Sequence, residues 1–354
     1  MDLPLLDWLQ KYALPTESGM SDLSKAKEVY SRLVRQTLRQ GTTTASYFSS
    51  IHAPATKLLA EICLAAGQRA FIGKCNMNTD LSPDWYRETH EESMASTRDC
   101  IQHCRQIDPT GEHIKAIITP RFAPSCTSDL LHDLGKLAHA EKLPIQTHIS
   151  ENLAEIDMVA DMFPNSAHYT GVYDDHGLLT DKTILAHAVH LSDEELALIK
   201  KRGAGIAHCP ASNTALQSGE APIREMLDLG LNVGLGTDVS GGYTASVLDQ
   251  AKLACGVSRH RAIHTGDKRL ILGVEEAIYM ATLGGAKVCG ISDRLGNFLV
   301  GKCFDALLID LSSERNGRVE IFDGEEDRRI FDKWVFNGDD RNIAKIWVDG
   351  LQVL

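Results

Sequence analysis

Four short runs in this chain end on a side chain that can bind a metal or move a proton. "IQTH" closes on His148, "TILAH" on His187, "GIAH" on His208 and "VGLGTD" on Asp238. Glu151 follows His148 by three residues, and Arg121 and Phe122 follow the run "AIITP". Neutral imidazole and carboxylate oxygen are ligands suited to zinc or another borderline divalent ion. Such an ion lowers the pKa of bound water to about 7. A carboxyl placed like Glu151 can then carry protons to a heterocycle nitrogen and to a leaving group.

Each member has a plainer reading. A lone histidine at a strand end is more often a packed core residue than a ligand. Ser150 can cap the helix that follows "THIS", with Glu151 favouring its positive first turn. Asp238 can be a turn residue before "SGG", and Gly241 and Gly242 fit that. It is the set of histidines, an aspartate and an arginine at successive strand ends that packing alone does not explain. His190 reads as a surface or supporting residue, Cys209 as a small core residue, and His260 and His264 as solvated.

The elements that must position these groups alternate. Strand-like "TTTASYF", "QRAFIGK", "IKAIITP", "LPIQTH", "KTILAH", "GAGIAHC" and "LNVGLGTD" are each preceded by an amphipathic, helix-like stretch. Such alternation predicts parallel strands joined by crossover helices. In a closed parallel barrel all the strand C-termini open on one face, where active sites sit. The predicted fold class is therefore α/β, a (β/α)8 TIM-like barrel, with seven strand candidates rather than eight. Beyond Asp238 a helical pattern covers Thr265 to Gly290. After it, "LGNFLVGKCFDALLID" and "IAKIWVDGLQVL" read as short alternating strands with glycine turns. The predicted division is a barrel over residues 1–290 and a C-terminal segment of a small β domain over 291–354.

Composition excludes several classes. The chain has 354 residues, 43% hydrophobic and 24% charged, ordinary for a globular protein. A net charge of -12 argues against a surface that tracks phosphates, so nucleic acid is not an expected partner. No apolar run is long enough to span a bilayer, and the start "MDLPLLDWLQKYALP" lacks the basic region of a signal peptide. Nine cysteines without a CxxC pair or a short-range framework fit free thiols in a reducing, cytoplasmic setting. Cys100 and Cys104 fall on one face of a helix.

The ordered set "THISE", "LAHAVHLS", "IAHCPASN" and "GLGTDVSGG" resembles the amidohydrolase superfamily of metal-dependent barrels. Within it, "GTTTASYFSSIH", "TPRFAPSC" and "GDDRNI" are similar to the guanine-deaminating branch, over almost the whole chain. The resemblance implies a zinc-dependent hydrolysis of guanine to xanthine and ammonia, with one ion per subunit and a homodimeric assembly. His148 and Asp238 would be zinc ligands, and Asp238 would also take a proton from the attacking water. Glu151 would be the proton shuttle, and His187 would hold the water or oxyanion by a hydrogen bond rather than as a ligand. Arg121 and Phe122 would hold guanine, together with His148, Glu151 and Asp238. The Cys-rich deaminase signature H-x-E…P-C-x-x-C is absent.

The superfamily's first barrel strand ends in His-x-His, and no His-x-His occurs among these 354 residues. Met1 stands where the family sequence leaves that strand, so the expectation is an N-terminally shortened form lacking its first strand. His148 and Asp238 then supply two ligands, and His187 is expected to add a third only by moving. Two other readings stand beside guanine deamination. One is a related amidohydrolase acting on another aminated heterocycle. The other is a noncatalytic subunit or scaffold that pairs with a full-length chain.

Overall fold

The computed structural model describes residues 3–312 and 319–354. Nine strands belong to the barrel: β1 (Thr44–Phe48), β2 (Arg69–Gly73), β3 (Cys75–Asn76), β4 (Ile114–Ala116), β5 (Thr119–Pro120), β6 (Ile145–Ile149), β7 (Thr183–His187), β8 (Gly205–His208) and β9 (Asn232–Leu235). Their pairing is parallel throughout, in the orders β1–β2–β4, β3–β5 and β6–β7–β8–β9. β3 and β5 extend β2 and β4, and a parallel bridge from Ile118 to Ile145 joins the two halves. The seven predicted strand segments are thus all present, the second and third each in two pieces. Among the described residues β1 pairs only with β2, and β9 only with β8.

Helices cover the outside because their apolar faces repeat at helical spacing. In the helix Leu23–Arg39 the buried residues are Ala26, Tyr30, Val34, Thr37 and Leu38, one stripe facing the barrel. Asp22 opens that helix by accepting from the amides of Ser24 and Lys25. Gly41, at φ +90°, turns the chain into β1. The main core lies between this layer and the strands, with Val34, Leu59, Ile72, Ile118, Leu134, Ile149, Leu185 and Ile206 all at or near zero exposure.

The region from Thr265 to Gly290 differs from the continuous helical pattern predicted for it. A long helix, Val247–Thr265, ends at Gly266 with φ +74°. A single 3-10 turn follows at Lys268–Leu270, where Asp267 accepts from the amide of Arg269. Helix resumes at Val274, and Glu276 folds back to accept the Gly273 amide at 2.6 Å. It runs through a π turn at Met280–Gly284 to Val288. This helix lies directly on β9. A Cβ on Gly234 would stand 2.8 Å from the Gly285 Cα, so only glycine permits the approach.

The C-terminal strands β10 (Ala306–Ile309), β11 (Ile343–Val348) and β12 (Leu351–Gln352) form their own antiparallel sheet. Where only short strands were predicted, the chain also forms a helix at Asp327–Asn337. A buried ion pair, Arg69 with Asp305 at 2.6 Å, ties this part to β2. Among the described residues no helix is long and apolar enough to cross a membrane.

Candidate active site

At the C-terminal ends of β6, β7 and β9 the structure brings His148, Glu151, His187 and Asp238 together. Ligand atoms of His148, His187 and Asp238 all lie within 4.8 Å of one another. The His148 and His187 rings stack with centroids 5.3 Å apart. His187 Nε2 is 3.4 Å from a Glu151 carboxylate oxygen and 4.0 Å from one of Asp238.

The backbone is bent to achieve this. Register pairs His148 with Ala186 and Ile149 with His187, so ordinary extended chain would send the two histidines to opposite faces. His187 instead has φ +73°, which brings its ring round to His148. Ala188 at +50°, Ser150 at +45° and Asp238 at +45° are also left-handed. Such conformations cost on the order of 1–3 kcal/mol each in non-glycine residues and cluster at functional sites. The His187 ring nitrogen therefore lies within reach of His148 and Asp238 where it stands, without the movement expected of it.

His208 does not join. It pairs with Leu235, one residue beyond the layer of His148, Ala186 and Ala207, and keeps an ordinary extended conformation. Its ring lines a crevice with Ile223, Arg224, Ala254 and Ser258 of the helical layer. Burial and the nearby His187 push it down to about 3, so it is a neutral core histidine.

The loop after β6 also differs from the simplest reading. Asn152, not Ser150, caps the helix Leu153–Met162, its side chain accepting from the Ala154 amide. Glu151 thus lies outside the helix rather than in its first turn. Buried Glu155 accepts from the amides of Glu151 and Asn152, at 2.9 and 3.1 Å, and from the Tyr169 hydroxyl at 2.7 Å. The Tyr173 hydroxyl donates to the His148 carbonyl at 2.7 Å. These groups hold the shuttle candidate and the ligand candidate in fixed orientation.

Protonation follows from the contacts. His148 Nδ1 lies 2.6 Å from the Arg121 carbonyl, which can only accept, so Nδ1 carries the proton and Nε2 keeps a free lone pair. Burial and the neighbouring His187 push His148 down to about 3, which keeps it neutral. Burial also pulls His187 down, but Glu151 and Asp238 outweigh it, and the net shift is upward. Asn213 accepts from His187 Nδ1 at 2.8 Å, leaving Nε2 to face the two carboxylates. Burial raises Glu151; His187 opposes this while Asp238 and Glu155 add to it, and the carboxyl reaches about 7. The Ser218 hydroxyl donates to its other oxygen at 3.1 Å.

Two imidazole nitrogens and a carboxylate oxygen, beside a second carboxylate, form a cluster of donors that attracts positive charge. This donor set fits a divalent ion, which takes three protein ligands and an open position in catalytic zinc sites. Gly241 and Gly242 serve the turn that holds Asp238. A Cβ on Gly242 would stand 2.1 Å from the Thr237 carbonyl, and one on Gly241 2.4 Å from Asp238 Oδ2.

Arg121 and Phe122 stand just behind His148. The Arg121 carbonyl orients the His148 ring, while its guanidinium pairs with Glu17. The Phe122 ring is buried against Leu5, Leu9, Ala13 and Leu216, under the helical segment that spans residues 5–21. Phe48, at the end of β1, packs its ring 4.3 Å from that of His148. Sequence reasoning assigned no role to Glu17, Phe48, Glu155, Asn213 or Ser218. For Asn213 a signal existed, since it lies in "IAHCPASN". His190 supports the site from outside, its ring nitrogen 2.6 Å from the Ser218 carbonyl.

The amidohydrolase family pattern matches residues 1–353. The chain belongs to the amidohydrolase family. A protein of Schizosaccharomyces pombe named "Probable guanine deaminase" is 53% identical over 351 residues, covering 99% of this chain and 66% of that protein. The guanine deaminase of Homo sapiens is 42% identical over 358 residues, covering 100% of this chain and 78% of that one. A crystal structure of guanine deaminase from C. acetobutylicum with bound guanine in the active site superposes with a TM-score of 0.93 at 37% identity. It covers 100% of this chain and 81% of the other. The chain has the TIM-like α/β fold of this family and spans about two thirds to four fifths of the length of these relatives.

Proposed function

We propose that this amidohydrolase catalyses the hydrolytic deamination of guanine to xanthine and ammonia. The observation that carries the reading is the meeting of Glu151 with His148, His187 and Asp238 at the strand C-termini. A zinc ion or a similar divalent cation held by His148, His187 and Asp238 would supply the Lewis acidity that makes water nucleophilic at neutral pH.

The chain's own groups do the rest. Water adds to the amino-bearing ring carbon, and the bond from that carbon to the amino nitrogen breaks. Asp238 accepts a proton from the attacking water. Glu151, with a carboxyl near 7, can both hold and release a proton at neutral pH. It gives one to the adjacent ring nitrogen as the carbon–oxygen bond forms. The proton held by Asp238 then passes to the amine as the carbon–nitrogen bond breaks, and the new hydroxyl returns its own to Glu151, leaving the carbonyl. His187, its Nδ1 proton given to Asn213, would present Nε2 to the ion and so help fix where the water stands. Arg121 donates to the purine carbonyl, its charge secured by Glu17. Burial of Glu151 and His187 excludes bulk water from their contacts and strengthens them.

We also read residues 1–290 as the catalytic barrel and 291–354 as a segment of a small β domain. The separate sheet β10–β11–β12 supports that division.

A panel of free bases and nucleosides tests the substrate. With zinc supplied, guanine is expected to be converted to xanthine, with adenine, cytosine and guanosine left unchanged over the same interval. Faster turnover of any nucleoside or of another base would transfer the assignment to a different aminated heterocycle.

A further inference from the structure

We propose that Glu17 is a positioning residue for Arg121, and that its charge makes the purine pocket select neutral heterocycles against their anions. The inference deepens the guanine reading and rests on it. Glu17 lies in the helical segment at the start of the chain, 104 residues before Arg121. Its two carboxylate oxygens accept from the two terminal nitrogens of the guanidinium, each at 2.8 Å. Such a bidentate pair fixes the plane of the fork as well as its position.

A third residue locks the pair. The Tyr86 hydroxyl donates to Glu17 Oε2 at 3.0 Å and accepts from the Ile51 amide at 3.2 Å. Tyr86 is fully buried, and burial keeps its hydroxyl protonated, so it remains a donor. Met77 sulfur lies 3.9 Å from the same guanidinium nitrogen. Glu17 and Met77 thus occupy three of the five N–H donors of Arg121 and leave two for a ligand.

The charge consequence is as specific as the geometry. Without Glu17, Arg121 would be a buried cation that favours any anion. Paired, it offers directed donors with little net field. An uncharged purine carbonyl can take those donors at small cost. A purine anion gains no uncompensated cation from that side of the pocket. The two functions separate in their effect on ligands, whereas mere anchoring of the N-terminal segment would change all ligands alike.

Two purines that lack the exchangeable amino group serve as probes: hypoxanthine, neutral at pH 7, and urate, an anion at pH 7. Binding of each to the zinc-loaded full chain is measured by calorimetry. Glu17→Gln is expected to weaken hypoxanthine about tenfold and to tighten urate about tenfold, because a neutral amide no longer compensates the guanidinium. Glu17→Asp keeps the charge and is expected to retain the exclusion of urate. Tyr86→Phe, which keeps the charge and removes the lock, is expected to weaken hypoxanthine with urate unchanged, and it carries the test if the Gln variant does not fold. Parallel weakening of both purines, or no change in either, overturns the proposal. Hypoxanthine binding that survives Arg121→Ala would instead show that Arg121 does not recognise the purine, and the underlying reading of the pocket would fall first.

Discussion

Glu151→Gln is expected to lower the rate of guanine deamination by about 10²–10⁴-fold, the range that a positioned proton carrier contributes. The amide has the same shape, so packing at this fully buried position is kept and the Ser218 hydroxyl still finds an acceptor. The backbone of residue 151 stays tied to Glu155. Only the ability to take up and release a proton is lost. The loss should therefore appear in kcat, with KM for guanine changed little. Zinc content should be retained, because Glu151 is not one of the three grouped ligands. A decrease of less than tenfold would mean that another group moves the proton.

His148→Ala is expected to remove the metal. It deletes one of three grouped candidate ligands, one whose free nitrogen is set by the hydrogen bond to the Arg121 carbonyl. Affinity for zinc should fall by more than the roughly 10–100-fold that loss of an outer partner costs. Deamination falls with it. His208→Gln provides the comparison, since His208 ends a strand in the same way but sits in the helical layer. That variant should keep its metal. Metal content measured after exhaustive dialysis separates the two: loss in both variants, or in neither, would contradict the assignment of ligands.

The contrast between His148 and His208 shows what was readable in the chain and what was not. Strands buried on both faces lack the polar–apolar alternation that would mark which side a terminal residue takes. His148, His187 and His208 consequently look equivalent in sequence. Register separates His148 from His208, and a left-handed residue at the end of β7 brings His187 back. No residue type announces that bend; histidine at φ +73° pays for it only because packing and Asn213 hold it there.

The seven strand segments were legible because each apolar run is bounded by turn residues and follows a helical stripe. The cap before Leu153 was not, because Ser150, Glu151 and Asn152 all suit a helix start. The choice falls to Asn152 through the reach of Glu155 and the turn at Ser150. The break after Thr265 was hidden by an uninterrupted helical pattern, in which the glycines at 266 and 273 mark two ends rather than tolerated interior positions. Glu17 could not be paired with Arg121 from sequence, since nothing local relates positions 104 residues apart.

Zinc titrated into the metal-stripped full chain, with xanthine formation followed at each addition, tests the central claim most directly. Xanthine production is expected to rise in proportion to added zinc and to level off at about one equivalent. Production independent of zinc, or none at all once one equivalent is tightly bound, would contradict the claim that these side chains form a metal-dependent guanine deaminase site.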